Sequence, residues 1–299
     1  MKPSATLRAL LIGAIDYAGL FPPAHLSMQD AVDRYSEYLQ SPYAWALGRF
    51  VVQASRLEEL LTARRTAGGV QRSWALSALL GANSVAECDL IRDFNSVAEG
   101  LAHVDSVETK GRDAGGGVSQ LTEIMKALPS SIRVFCELPL GPDTRELVRA
   151  IRDTNAFAKV RTGGVTPDAF PGTANLAEFI LTCADVGLPF KATAGLHHPC
   201  RGSYPLTYDA GAATGTMFGF VNVFVAATLA QTEFKSNRIV ELLEAGECDR
   251  FCFDDDGLTW RDVRVSRERI EHSRREFVLS FGSCSFEEPI EDLRALSLL

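Results

Sequence analysis

The sequence predicts a single (β/α)8 barrel, a TIM barrel of the α/β class, in which eight parallel strands close into a ring surrounded by helices. Three observations indicate this fold class. Short strand-like segments alternate with longer amphipathic segments along the whole chain, eight strand-like segments are found, and the first is not followed by a glycine-rich turn. The length of 299 residues suits one barrel of this kind with insertions.

The predicted strands are short apolar segments rich in aliphatic, β-branched and aromatic residues. They are Leu10–Ile15, Arg49–Gln53, Ala75–Leu80, Ala102–Val107, Ile132–Leu138, Phe157–Thr162, Phe190–Ala194 and Arg250–Asp254. Predicted helices lie between them, and several begin with a cap residue three positions before an acid, as Ser27 does before Asp30. We expect the apolar faces of these helices to pack against the barrel.

An open doubly wound sheet is the alternative α/β fold, and it usually carries a glycine-rich turn after its first strand. Residues 17–24, Tyr-Ala-Gly-Leu-Phe-Pro-Pro-Ala, do not match that turn. We therefore predict one barrel domain over residues 1–299. Two segments depart from a minimal barrel: a long irregular loop after strand 7, residues 196–216, and a C-terminal extension, residues 281–299, which could contribute to a homo-oligomer contact.

Charge and hydropathy narrow the range of partners. The net charge of −8 argues against binding to a nucleic acid or to an anionic membrane. The longest apolar helical stretch, Phe218–Ala230, is too short to span a bilayer. The first residues faintly resemble a signal peptide but run into Asp16, so we interpret them as a buried strand.

The seven cysteines lack CxxC pairs, which favours a reduced cytoplasmic protein with mostly buried thiols.

Two lysines stand on neighbouring predicted strands, near the strand ends where enzymes of this fold carry their active sites. Lys159 and Lys191 alternate with apolar residues, so both side chains are expected to face the barrel axis. Adjacent strands lie about 5 Å apart, so the two amines can approach each other. Mutual repulsion and burial would lower their pKa and favour the neutral amine that attacks a carbonyl group. The alternative is that both are ion-paired, Lys159 with Glu137.

These strands resemble a known family. Lys159-Val-Arg-Thr-Gly163 resembles the Lys-x-x-Thr-Gly strand of deoxyribose-phosphate aldolases, and Lys191-Ala-Thr-Ala-Gly195 resembles their Lys-Ala-Ser-Gly-Gly strand. Asp105 is similar to their strand-4 aspartate. The resemblance implies a class I lyase without a cofactor, in which Lys159 forms a Schiff base with a small carbonyl substrate, Lys191 lowers its pKa, and Asp105 relays a proton through water.

The sequence departs from that family where a phosphate would bind. Predicted strand 8 ends in Asp254-Asp255-Asp256-Gly257, whose carboxylates would repel a phosphate, so we expect an unphosphorylated substrate. Glu108 is a second candidate acid if the register of Asp105 is one residue off. Polar residues at other strand ends are candidates for substrate contact, Arg161 by gripping a carboxylate through two hydrogen bonds. This set is Arg161, Glu137, Thr193, Asp16, Gln53 and His197.

Two other functions stay open. Imidazole and carboxylate groups near the strand ends could hold a divalent metal ion that assists carbonyl chemistry. The candidate metal ligands are His197, His198, Asp254 and Asp256. A barrel that binds a small anion without catalysis is the third hypothesis, and its ligands would be Lys159, Arg161 and Lys191. Cys284 has no obvious base nearby in the sequence, and we interpret it as a buried thiol.

Overall fold

A computed structural model describes residues 3–67, 72–98, 100–111, 117–234, 236–246 and 248–299, without the side chains of residues 117, 118 and 249. Its main sheet is a closed barrel of eight strands in which all neighbours run parallel, and this confirms the predicted fold class. Around the ring, the strands are β1 Ile15–Tyr17, β2 Leu47–Gln53, β3 Trp74–Leu79, β4 Ala102–Lys110, β5 Arg133–Leu138, β6 Phe157–Arg161, β7 Phe190–Thr193 and β13 Val278–Ser283.

Helices alternate with these strands and bury an apolar face against them, as Leu147, Val148 and Ile151 of α6 illustrate. The spacing of three and four residues places these side chains on one face of the helix. The helices are α1 Ala5–Leu11, α2 Met28–Tyr38, α3 Leu57–Thr66, α4 Ser84–Val97, α5 Gly117–Ala127, α6 Thr144–Arg152, α7 Thr173–Val186, α8 Phe220–Ala230, α9 Ser236–Leu243, α10 Arg267–Glu276 and α11 Glu287–Ala295.

Two small antiparallel sheets are inserted in the barrel. The long loop after β7 contains a hairpin, β8 Gly202–Pro205 and β9 Thr214–Met217. A three-stranded sheet of β10 Phe251–Phe253, β11 Gly257–Trp260 and β12 Val263–Ser266 lies between α9 and α10. The predicted irregular loop is therefore partly ordered by strand pairing.

The first strand was predicted at the wrong place. Residues 5–11 form helix α1, whose N-cap Ser4 accepts a hydrogen bond from the Leu7 backbone N–H at 3.2 Å. Leu7, Leu10 and Leu11 are buried at helical spacing. Leu10 and Leu11 therefore bury their side chains as part of a helix and not as part of a strand. The barrel strand begins only at Ile15.

The eighth strand was also misplaced. Arg250–Asp254 does not enter the barrel, because Phe251–Phe253 pairs antiparallel with Gly257–Trp260. The barrel is closed instead by Val278–Ser283, which pairs parallel with both β1 and β7. Residues 281–299 are therefore not an extension, since they complete β13 and form helix α11.

Cysteine pairing also differs from the expectation. Cys200 and Cys248 form a disulfide that joins the loop after β7 to the segment before β10. Cys88, Cys136 and Cys183 are buried thiols, as expected. Among the residues that the structure describes, no helix combines the length and the apolar character needed to cross a membrane.

The position of β13 can be tested by core truncation. Phe281 is fully buried and its ring stacks on Phe220 at a centroid distance of 5.0 Å. We expect Phe281→Ala to lower the free energy of unfolding in urea by about 3–5 kcal/mol, because it removes an aromatic ring from a packed core. Phe253→Ala, in the outer sheet and only partly buried, is the matched control with a smaller loss. Equal losses would contradict a barrel position for Phe281.

Candidate active site

A cavity of about 300 Å³ opens at the C-terminal ends of the barrel strands. Apolar side chains from the loop after β1 and from the β8–β9 hairpin form much of its wall, among them Phe21, Leu206 and Met217. Polar side chains that border it are Glu108, Lys159, Arg161, Lys191, Thr193, His197, His198, Thr207, Tyr208, Cys284 and Glu288. The cavity is therefore an apolar pocket with a charged floor, which is the usual form of a small-molecule site.

The two lysines lie side by side, as predicted. Glu137, Lys159 and Lys191 are register partners on the adjacent strands β5, β6 and β7. Residues at matching positions of adjacent parallel strands point to the same side of the sheet, here toward the barrel interior. Both lysines are almost completely buried, at 4% and 1% exposure, yet each borders the cavity.

Carboxylates neutralise both lysines. Lys159 Nζ lies 2.6 Å from Glu108 Oε2 and 2.8 Å from Glu137 Oε2. Lys191 Nζ donates hydrogen bonds to Glu108 Oε1 at 2.7 Å and to Asp16 Oδ2 at 2.6 Å. Glu108 therefore bridges the two lysines with its two oxygens. Polar residues around them complete the network, since the Ser77 and Ser280 hydroxyls donate to Glu108 and Asp16.

This pairing overturns the expected electrostatics. Burial acts to lower the pKa of Lys191, but Asp16 and Glu108 outweigh it and the pKa is raised. Burial likewise acts to raise the pKa of Glu108, and the charges of Lys159 and Lys191 hold it well below its usual range. The predicted lowering of the pKa by mutual repulsion is therefore wrong for Lys191. The ion-paired alternative, including the contact of Lys159 with Glu137, is the one found.

The predicted acid also differs. Asp105 forms a two-pronged ion pair with Arg49, at 2.6 and 2.8 Å, and does not border the cavity. The pairing of β3 with β4 shifts register at this point, because Leu76 pairs with Val104 and the next residue of β3 pairs with Ser106. Asp105 is the additional residue of this bulge. Glu108, the second candidate, therefore takes the interior position at the cavity.

The remaining strand-end residues divide into two groups. Arg161 and Thr193 border the cavity, and Arg161 Nε lies 3.2 Å from Glu137 Oε1 while nearly half of the Arg161 side chain is exposed. Asp16 and Glu137 do not border it, because both face the buried ammonium groups. Gln53 is exposed and lies outside the cavity lining. The predicted substrate contacts of Asp16 and Gln53 therefore have no support in the geometry.

Sequence reasoning missed a polar cluster at the cavity rim. His197 Nδ1 lies 3.1 Å from Glu288 Oε2 and 3.9 Å from Cys284 Sγ. The Tyr208 hydroxyl lies 3.4 Å from the same sulfur and 3.3 Å from Glu288. Cys284 is buried, as expected, but it directly follows β13 and has a histidine beside it. Placing the eighth strand at Val278–Ser283 would have put Cys284 at a strand end, beside the residues that follow β7, including His197.

Of the candidate metal ligands, His197 and His198 lie beside the same carboxylate, that of Glu288, at 3.1 and 3.7 Å, whereas the aspartates lie elsewhere. His198 Nδ1 lies 2.6 Å from Asp292 and its ring stacks on Tyr204. Asp254 is exposed, belongs to the turn between β10 and β11, and pairs with Arg264. Over the described ranges, no three side chains of His, Cys, Asp or Glu are arranged to hold a metal ion. Residues 254–256 do not follow a barrel strand, so their carboxylates give no reason to expect that the cavity repels a phosphate.

No family model and no curated protein matches this chain. Among solved structures it is similar to a lysine/ornithine decarboxylase from Vibrio vulnificus complexed with cadaverine, at 14% identity and a TM-score of 0.37, with 63% of this chain and 48% of the decarboxylase covered. It is also similar to the spore cortex-lytic enzyme SleL of Bacillus cereus, at 11% identity and a TM-score of 0.41, with 96% and 74% covered. The chain spans about half the length of the decarboxylase. These similarities concern the fold and carry no argument about function.

The bridging role of Glu108 predicts a large stability effect. Glu108→Gln would leave two buried ammonium groups short of a carboxylate, and we expect a loss of about 3–5 kcal/mol in the free energy of unfolding. Glu123→Gln on the exposed face of α5 is the matched control, because its ion pair with Lys126 is in solvent. Urea denaturation compares the two. Similar small losses would show that Glu108 does not hold the lysines.

The rim histidine predicts a pH effect. Burial acts to lower the pKa of His197, but Cys284 and Glu288 outweigh it and raise the pKa to about 10. An unfolded histidine loses its proton near pH 6.5, so the stability that this proton contributes is complete below about pH 6.5 and is lost as the pH rises toward 10. We expect Glu288→Gln to flatten this fall, measured by urea unfolding at about pH 7 and about pH 9.5.

The exposed His272 supplies the control for this measurement. His272→Gln should leave the pH dependence unchanged, since that side chain lies on the solvent face of α10. A direct readout is the proton NMR titration of His197. A midpoint near the ordinary histidine value would contradict the ion pair with Glu288.

Proposed function

We propose that the chain is a lyase that acts on a small carbonyl compound by forming a Schiff base on Lys159. One observation carries the proposal: Lys159 borders the cavity, and its Nζ lies 2.6 Å from Glu108, a carboxylate that it shares with Lys191. A lysine that attacks a carbonyl group needs an acceptor for its proton and a cation near the oxygen. We assign these two functions to Glu108 and Lys191, whose contacts with each other and with the cavity support the assignment.

The amine must first lose its proton, and the ion pair provides a path for it. In water the pKa values of lysine and glutamate differ by about 6 units, which strongly favours the charged pair. Transfer of the proton from Lys159 to Glu108 removes both charges, so the transfer becomes more favourable when a substrate displaces water from the floor of the cavity. Glu108 thus replaces mutual repulsion as the means of obtaining the neutral amine.

The proposed reaction begins at the carbonyl group of the substrate. The Lys159 nitrogen adds to the carbonyl carbon, and the resulting oxyanion is stabilised by the ammonium group of Lys191. The nitrogen then gives up one proton, which converts the oxyanion into a hydroxyl group. Protonated Glu108 gives its proton to that hydroxyl group, which leaves as water and produces the iminium ion. The iminium nitrogen accepts the electron pair when the bond between the α and β carbons of the substrate breaks. The β-hydroxyl group loses its proton to the Glu108 carboxylate, so the fragment leaves as an aldehyde, and a proton later replaces it on the α carbon. Hydrolysis of the imine restores Lys159.

The cavity limits the substrate. A volume of about 300 Å³ lies at the small end of the range for ligand pockets, which suits a compound of a few carbon atoms. Arg161 has exposed guanidinium donors at the edge of the cavity and is suited to a carboxylate. We therefore favour short 2-oxo acids and aldehydes as substrates.

Borohydride trapping tests the proposal. The protein is incubated with pyruvate, 2-oxobutyrate, acetaldehyde or propionaldehyde, reduced with sodium borohydride, and digested for mass spectrometry. We expect at least one compound to leave a stable adduct on the Lys159 peptide, because reduction converts the imine into a secondary amine. Lys159→Arg keeps a positive charge beside Glu108 and Glu137 and should abolish the adduct.

The exposed Lys126 is the matched control, and Lys126→Arg should leave trapping unchanged. Adducts spread over surface lysines, or on Lys191 and not on Lys159, would contradict the assignment. Saturable binding of pyruvate without any adduct would favour the non-catalytic anion-binding barrel. Circular dichroism of each variant verifies that the barrel is folded.

A further inference from the structure

A second cavity, of about 820 Å³, lies at the opposite end of the barrel, below the N-terminal ends of the strands. Its wall combines residues of α1, β2, β5, α10 and β13. The charged side chains that line it are Arg8, Arg49, Arg133, Arg267, Arg274, Arg275, Glu271 and Glu276. Six guanidinium groups thus surround one space in a chain whose net charge is −8.

Only part of this positive charge is neutralised. Arg49 is paired with Asp105, and Arg267 Nε lies 3.4 Å from Glu271 Oε1. Arg274 is buried and donates hydrogen bonds to backbone carbonyls at 2.6–3.1 Å, among them those of Leu10 and Ile12, so its charge has hydrogen-bond partners but no acid. These contacts position the deeper arginines and hold α10 against the start of the barrel.

Three arginines, Arg8, Arg133 and Arg275, form the outer part of this lining. Arg133 and Arg275 are exposed, and Arg8 lies over the Trp45 ring at 4.7 Å. Within the ranges that the structure describes, no carboxylate lies within ion-pair distance of these three side chains. Glu276 is the one remaining lining acid in that part of the chain. The cavity therefore has a surplus of about three positive charges.

Like charges held around one space repel, so the arrangement costs stability unless an anion enters. Guanidinium groups match phosphate oxygens through paired hydrogen bonds. The geometry points to a binding site for a multivalent phosphate anion, of the size of a triphosphate group, at the N-terminal end of the barrel. The site is separate from the proposed Schiff-base cavity, since none of the described residues lines both spaces.

Isothermal titration calorimetry with sodium tripolyphosphate tests this site on the full-length protein. We expect one binding site per chain, with an affinity that falls as the sodium chloride concentration rises. The double variant Arg133→Gln/Arg275→Gln removes two exposed guanidinium groups and should raise the Kd at least about tenfold. Neither side chain has an acidic partner in the described structure, so the variant should fold like the wild type.

The matched control is Arg65→Gln/Arg149→Gln, which removes two exposed arginines from α3 and α6, away from this cavity. The control should retain the wild-type Kd. Equal weakening by both double variants, or no saturable binding of tripolyphosphate, would overturn the proposal. Citrate serves as a polycarboxylate of similar charge, and binding as tight as that of tripolyphosphate would overturn the preference for phosphate.

Discussion

The shared carboxylate of Glu108 is the interaction on which the barrel interior depends. It bridges two buried ammonium groups, Lys159 and Lys191, at 2.6 and 2.7 Å. Removing a charge from water costs several kcal/mol per ion, and the cost is recovered only where partners are close and well oriented. Asp16 and Glu137 supply the remaining carboxylates, so the cluster is stable only when strands from both sides of the barrel are in register.

The neighbourhood of the two lysines could be predicted because it follows from period-two alternation on adjacent strands. The electrostatic state of that pair could not be predicted in the same way. Asp16 and Glu108 come from β1 and β4, which are not adjacent to β7 in the ring. Contacts across the barrel axis leave no periodic signal in the sequence. For this reason Asp16 was interpreted from the sequence as a substrate contact and Glu108 as a second candidate acid, and not as partners of the lysines.

Local irregularity explains the other errors. The bulge at Asp105 shifts the side of β4 that faces inward, and a single inserted residue of this kind is invisible to a pattern of alternation. Residues 10–15 form an apolar run that suits either a helix or a strand, and the structure divides it, because α1 ends at Leu11 and β1 begins at Ile15. Phe251–Phe253 is a strand, but it pairs antiparallel outside the barrel. Because it was counted as the eighth barrel strand, the true eighth strand, Val278–Ser283, was not predicted.

Positive charge is balanced by carboxylates at the mouth of the barrel and is in surplus at its opposite end. At the mouth, the carboxylates of Asp16, Glu108 and Glu137 balance Lys159, Lys191 and Arg161. The protonation state of such a neutral cluster changes most easily when a proton moves between its own members. Bringing in a further charged group would require removing that group from water, which costs free energy. Under the proposed function, recognition of a charged substrate would fall to the edge of the cavity, where the Arg161 side chain is exposed. The proposal thus assigns chemistry and charge recognition to different depths of the same cavity.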